Sequence, residues 1–507
     1  MSKDEIRIQY SGFIIFAAQV VGVVTGVIFT LLLTRNMTQQ EYGIWSNIFD
    51  WMGYFTVLSG LFPFWVTRFV ARGKEGAIKT GLLANLIVGL VSMAVYLPVI
   101  SVVTRTLAIS GAYMLVYLVG SLQMVNLYLI SLLESCLRAV KPQTIGYGFL
   151  IEEACKVVLA YVFIVGLHQL FLGAMLSFII ASSVQALYYL RLLRGSLRGL
   201  KIQWNYLKEW LKGSTAILYN SVGTQAAAFT IILLFYYGGQ AARGDYQAAA
   251  TFANVIGYSS FLAFALYPKL LSRQGFEGVA LALRTVLMFS IPMTMIVITL
   301  SQSLLTVLRV TYGSASPVLI LLTLDTLVLL LSQFYSTLIF GVERLDEDAK
   351  IPLKKLVRSR IFKVFTLPYI QAAIALPAAY YALTRLAAGQ PVEAALWVIA
   401  INIVVHAGTF LGLYAMMRKS VKIPVPGRSI TKYLFASSVP ASLLYLGPHP
   451  GTLALTFGTA MGGLAVYAVV LLAIDKEARH LIVLITREIK EILRGHAHEA
   501  PEVSVDA

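Results

Sequence analysis

The chain has 507 residues, 58% of them apolar and only 13% charged, with a mean hydropathy of +0.78 and a net charge of +16. Soluble domains run near half apolar and a quarter charged, so this balance marks a multi-pass membrane protein and excludes a large soluble catalytic domain. Two cysteines are too few for a disulfide framework.

Apolar runs long enough to cross a bilayer predict about fourteen transmembrane helices, an all-α polytopic membrane protein. The first six are 11–34, 42–65, 81–103, 112–133, 145–167 and 169–190. The next six are 214–237, 246–267, 280–301, 314–341, 364–384 and 393–417, followed by 433–447 and 452–474. The thirteenth is short and contains Pro440, which keeps twelve spans plus a re-entrant segment as the alternative.

Positive charge is retained on the cytoplasmic side of a membrane. The N-terminus, the connections after even-numbered spans and the C-terminal tail hold 33 of the 40 Lys and Arg, and the odd connections hold 5. This predicts a cytoplasmic (plasma) membrane protein with both termini cytoplasmic, and it accounts for the basic charge without nucleic acid. Cys136 and Cys155 then lie near the reducing side as small apolar fillers. Residues 11–34 are too long for a signal-peptide core and lack a cleavage site, so they read as a permanent span. Residues 475–495 place apolar and basic side chains at helical spacing, as in an amphipathic helix lying on anionic membrane lipids, and a disordered tail is expected from His496.

A repeat appears when the sequence is shifted by about 204 positions. Glu41-Tyr42 falls on Asp245-Tyr246 and Gly53-Tyr54 on Gly257-Tyr258; after one insertion, Pro63 and Arg68 fall on Pro268 and Arg273. The offset equals six spans, so the repeats are parallel, two pseudo-symmetric six-helix lobes around a central cavity. The expected organisation is an N-terminal lobe over 1–200, a second lobe over 201–420, two additional membrane helices over 421–474, and the cytoplasmic amphipathic helix and tail over 475–507.

No catalytic signature is present. The chain lacks a glycine-rich phosphate loop and paired metal ligands, so no catalytic residue, metal or cofactor is expected. Asp346-Glu347-Asp348 reads as a solvated cluster among lysines rather than a Mg²⁺ site, and His406, four residues from Asn402, as a packing residue or a proton relay. Charged groups inside spans must face a cavity or a partner. Asp50 in span two and Asp325 in span ten are candidate cation-coupling residues for H⁺ or Na⁺, against satisfied helix–helix hydrogen bonds. Glu152, Glu153 and Lys156 in span five are further candidates, set against a self-neutralising group in which the lysine reaches either carboxylate. Arg68 and Arg273 occupy matching cytoplasmic ends of spans two and eight, either as topogenic charge or as a pair that grips a phosphate, and Arg35, at the outer end of span one, is the candidate phosphate ligand on the far side.

Leu31-Leu32-Leu33-Thr34-Arg35, Glu41-Tyr42-Gly43, Pro63 with Thr67-Arg68-Phe69-Val70-Ala71, and Arg138-Ala139-Val140-Lys141 after span four together carry a resemblance. With 246–268 they cover about half the chain, and they resemble the polysaccharide-transport (oligosaccharide flippase) branch of the multidrug/oligosaccharidyl-lipid/polysaccharide exporter superfamily. The resemblance implies a non-enzymatic flippase, and a self-contained two-lobe cavity lets a monomer suffice. Its substrate would be a polyprenyl-(di)phosphate-linked oligosaccharide, moved by alternating access for cell-surface polysaccharide or glycoprotein glycan assembly, with glycan-assembly enzymes as partners. Where many relatives carry an acidic residue in span seven, 226–234 has none, so cation coupling built on that position is not carried over. A cation-coupled multidrug exporter of the same superfamily is the alternative. A membrane glycosyltransferase is disfavoured by short outer connections.

Overall fold

The computed structural model describes residues 3–107, 109–197, 201–259, 277–342, 359–418, 426–476 and 478–479. Every described secondary-structure element is helical. The chain opens with α1 (Lys3–Asn36), α2 (Gln39–Thr56), α3 (Pro63–Ala71), α4 (Ala77–Thr106), α5 (Gly111–Val140), α6 (Gln143–Ala160) and α7 (Leu170–Leu197). A short α8 (Trp204–Gly213) leads to α9 (Thr215–Leu233), α10 (Gln240–Ala253), α11 (Glu277–Thr299), α12 (Ser301–Leu308) and α13 (Ser316–Val342). The chain continues through α14 (Arg360–Tyr381), α15 (Pro391–Arg418), α16 (Gly427–Leu446) and α17 (Leu453–Ile474).

Each of the fourteen predicted spans is mostly helical over its described residues, with 260–267 of span eight outside them, and among the described residues ten helices are long and apolar enough to cross a membrane by composition alone. The other four have local causes. The apolar stretch described in α1 is Val21–Asn36, and the described part of span eight is the 14-residue α10. Span five carries Glu152, Glu153 and Lys156. Span thirteen begins earlier than expected and forms a continuous 20-residue α16 with Pro440 inside it. At 1.5 Å per residue it is about 30 Å long, the length of a span, but it is not apolar enough to count among the ten.

Span two is broken. α2 starts on a capping box in which the Thr38 hydroxyl accepts from the Glu41 amide and the Glu41 carboxylate accepts from the Thr38 amide. A 3₁₀ turn over Val57–Gly60 then ends it, and Pro63 at the first position of α3 restarts the helix, where its missing N–H costs no bond.

The packing repeats along the chain. α1 lies along α6 as α9 lies along α14, and α5 along α7 as α13 along α15. The C-terminal pair docks outside this arrangement, α16 on α11 and α17 on α16, fastened where the Tyr467 hydroxyl donates to the Met288 carbonyl at 2.6 Å. One buried core, with Trp45, Tyr117, Leu304, Leu383 and Ile399 among its members, joins both halves of the chain. Large apolar side chains left on the surface, such as Val91, Val95 and Val102 on α4, form the faces a bilayer would cover.

Candidate functional site

The two halves cross most closely where α2 meets α10. Both helices begin on glutamine and carry glycine four positions on: Gln39 and Gly43, Gln240 and Gly244. A Cβ on Gly43 would run into the Gln240 carbonyl oxygen, and one on Gly244 into that of Gln39. The reciprocity is that of a two-fold axis. It relates positions 201 apart, about one helical turn short of the register read from Glu41-Tyr42 and Asp245-Tyr246.

Below the crossing, Asp50 meets Arg243. The guanidinium donates from Nε to Asp50 Oδ2 at 2.8 Å and from Nη2 to Oδ1 at 2.9 Å, and Nη1 reaches Gln247 Oε1 at 3.0 Å. Its Cζ stands 5.5 Å from the centre of the Tyr246 ring. This is the two-pronged arginine–carboxylate arrangement, strong because both bonds are charge-assisted and the planes match. Arg243, one of the five Lys and Arg of the odd connections, is 4% exposed.

The same end is stitched by backbone carbonyls. Arg35 donates to the Val307 carbonyl at 3.3 Å and Arg309 to the Met37 carbonyl at 2.5 Å, so each arginine takes up an oxygen at the end of the other's helix. Gln39 bridges Asp245 Oδ1 at 2.9 Å and the Thr311 carbonyl at 3.1 Å. Arg35 is thus engaged by protein backbone, at the opposite end of its half from Arg68.

Two further ionisable pairs lie within single halves. Asp325 on α13 stands 2.7 Å from His406 Nδ1 on α15, a partner the sequence held without revealing the pairing. On α6, Lys156 Nζ bonds Glu153 Oε1 at 2.5 Å, while the Thr25 hydroxyl of α1 donates to Glu153 Oε2. The lysine therefore selects its i−3 neighbour, and its ammonium lies 5.2 Å from the centre of the Phe178 ring. Among the described residues no cluster of three His, Cys, Asp or Glu is arranged to hold a metal.

At the far end from the α2–α10 crossing, the break in span two opens a cavity of about 650 Å³ between the 3₁₀ turn, α3 and α5. Arg68 and Arg138 both line it, with Glu134, Ser59 and Ser131. The Arg68 guanidinium lies 4.0 Å over the Phe64 ring. Pro63 and Arg68 of α3 line the same cavity, and Thr67 pins α3 to α5 by donating to the Ser135 carbonyl at 3.1 Å. Sequence reasoning found Arg68 but gave Glu134 and Arg138 no role; their spacing of four on one helix was the available signal. Arg273 and Pro268 lie outside the described residues, as do Asp346-Glu347-Asp348 and nearly all of 475–507.

No protein-family model matches the sequence, and no curated protein does. Solved structures do resemble it. Lipid II flippase MurJ in an inward closed conformation matches with a TM-score of 0.60 and 15% identity, covering 90% of this chain and 98% of that one. An inward-facing multidrug resistance MATE family transporter of the MOP superfamily matches at 0.59 and 14%, covering 79% and 96%, and an outward-facing one at 0.53 and 13%, covering 82% and 96%. These neighbours are transporters and flippases rather than enzymes. The chain is a multi-pass membrane protein with the fold of MATE transporters and of the flippase MurJ.

Proposed function

We propose that this protein is a flippase that carries a polyprenyl-(di)phosphate-linked oligosaccharide across the cytoplasmic membrane by alternating access, for cell-surface polysaccharide or glycoprotein glycan assembly. The observation that carries this reading is the polar cavity at the break in span two, lined by both Arg68 and Arg138 at the end the charge count assigns to the cytoplasm. A basic mouth of this kind disfavours a cationic drug. The shared fold with a lipid II flippase supports the same reading.

In this mechanism residues 1–200 and 201–420 act as two lobes. They are closed at the outer end by the glycine crossing and the Asp50–Arg243 pair, and rocking about that contact exposes the central cavity to either side. The phosphate head passes through the protein while the polyprenyl chain stays in lipid. Arg68 and Arg273 are the proposed phosphate ligands, Asp325 with His406 the proposed cation-sensing pair, and both termini are cytoplasmic. A monomer suffices.

The test is reconstitution of the purified protein in liposomes carrying a fluorescent short-chain polyprenyl-phosphate sugar. The rate at which the label becomes accessible to a membrane-impermeant quencher is then measured. Acceleration over empty liposomes, lost in Arg68→Ala with Arg273→Ala, supports the flippase. The buried Asp325–His406 pair favours a second reading, a cation-coupled multidrug exporter. No acceleration of the lipid, together with gradient-driven efflux of a cationic dye, would select it.

A further inference from the structure

The cavity at the break in span two contains more than a phosphate ligand needs. Two guanidinium groups, Arg68 from α3 and Arg138 from α5, line the same space, and a carboxylate, Glu134, stands one turn before Arg138 on α5. Two hydroxyl-bearing residues, Ser59 and Ser131, complete the polar wall, and Ser131 is held in place by donating to the Ser59 carbonyl at 3.2 Å. The Glu134 carboxylate accepts from the Tyr189 hydroxyl at 3.4 Å, which is long for a bond to a charged group.

Glu134 sits within the field of Arg138, one turn on, yet its negative charge weakens the site for a bare phosphate. A carboxylate accepts from hydroxyl groups, and sugar hydroxyls beside a phosphate are the ligand chemistry that uses two guanidiniums and one carboxylate together. A volume of about 650 Å³ lies in the range of small-molecule pockets and exceeds what a single phosphate fills. We infer that this cavity is a saccharide-phosphate subsite, in which Arg68 and Arg138 take the phosphate and Glu134 reads hydroxyl groups of the first sugar. The inference rests on the flippase reading and deepens it, since the site would select the carrier that already bears its glycan over the sugar-free carrier.

The experiment reads occupancy separately from transport. In a Cys155→Ser background, Ser59→Cys is labelled in detergent by a small water-soluble maleimide. Labelling proceeds in the presence of a short-chain polyprenyl-phosphate hexose, the sugar-free polyprenyl phosphate, or hexose 1-phosphate. The hexose-bearing lipid slows labelling about tenfold more than the sugar-free lipid, the scale of a hydrogen bond to a charged group. Glu134→Gln removes that difference, while Arg138→Gln weakens protection by both lipids. Protection by hexose 1-phosphate places recognition in the head alone. If none of the three changes the labelling rate while the same protein flips the fluorescent lipid in liposomes, this site is overturned and the flippase stands. If both lipids protect equally, the sugar-reading role of Glu134 is overturned. Protection without flipping retains the site and overturns the flippase, and neither protection nor flipping overturns both.

Discussion

Asp50 and Arg243 come from different halves of the chain, 193 positions apart, and hold each other by two hydrogen bonds of 2.8 and 2.9 Å across the α2–α10 contact. Breaking a buried pair by removing one partner leaves a charge without compensation and costs about 3–5 kcal/mol, whereas removing both can be nearly neutral. Asp50→Asn and Arg243→Gln should therefore each lower the thermal midpoint of the purified protein. Their combination should lower it by clearly less than the two effects added. Strictly additive shifts would mean that the pair does not act as a unit.

The glycine crossing should be equally intolerant. Gly43→Ala or Gly244→Ala pushes a methyl group against a backbone carbonyl of the facing helix, which has no rotamer in which to yield. Overpacking of this kind costs about 1–3 kcal/mol, here charged to the conformation in which the crossing is closed. Flipping in liposomes should fall severalfold in either variant. Protection of the cysteine at position 59 should persist, because that cavity lies at the other end. Flipping at the unmodified rate would show that this crossing does not close during transport.

Much of this was legible in the sequence. Spans are visible because lipid imposes one rule on every helix, and ten of the fourteen are long and apolar enough to cross among the described residues. Pairings across helices were not. Spacing rules reach three or four residues along one helix, which found Lys156 beside Glu153 but left Asp325 without its partner His406, 81 positions away. Arg243, only counted among the odd connections, escaped notice for a related reason. A charge count treats every arginine in a connection as solvated, and the residue sits in the first turns of α10, facing a carboxylate that the count had placed in another span. The repeat register suffered similarly, since Glu41-Tyr42 and Asp245-Tyr246 match in composition while the helix starts and the touching glycines match one turn earlier.

The Glu153–Lys156 pair predicts an asymmetry inside one motif. Glu153 takes both the Thr25 hydroxyl and the Lys156 ammonium, and each of the paired side chains is less than a tenth exposed. Lys156→Met should cost about 3–5 kcal/mol by stranding Glu153, and adding Glu153→Gln should recover most of it. Glu152→Gln should cost less than Lys156→Met. Thermal unfolding of the four proteins measures this, and a larger loss from Glu152→Gln would transfer the structural role to that residue.

The Asp325–His406 pair makes the sharpest claim about energetics. At 2.7 Å a proton must lie between the imidazole nitrogen and the carboxylate, because two bare acceptors at that distance repel. Asp325 is 3% exposed, so a change in the pair's charge is expensive unless a movement of α13 against α15 accompanies it. In the proposed mechanism such a linkage would be the means of coupling an ion to the conformational change. In liposomes with an imposed proton gradient, wild-type flipping should respond to the gradient. Asp325→Asn and His406→Ala should proceed at one rate with or without it, and Asp50→Asn should be slower yet still responsive. An Asp325→Asn protein that keeps the gradient response would remove Asp325 from coupling and leave the pair a helix–helix hydrogen bond. A response to Na⁺ alone would assign coupling to a different ion and reject a shared proton as its basis.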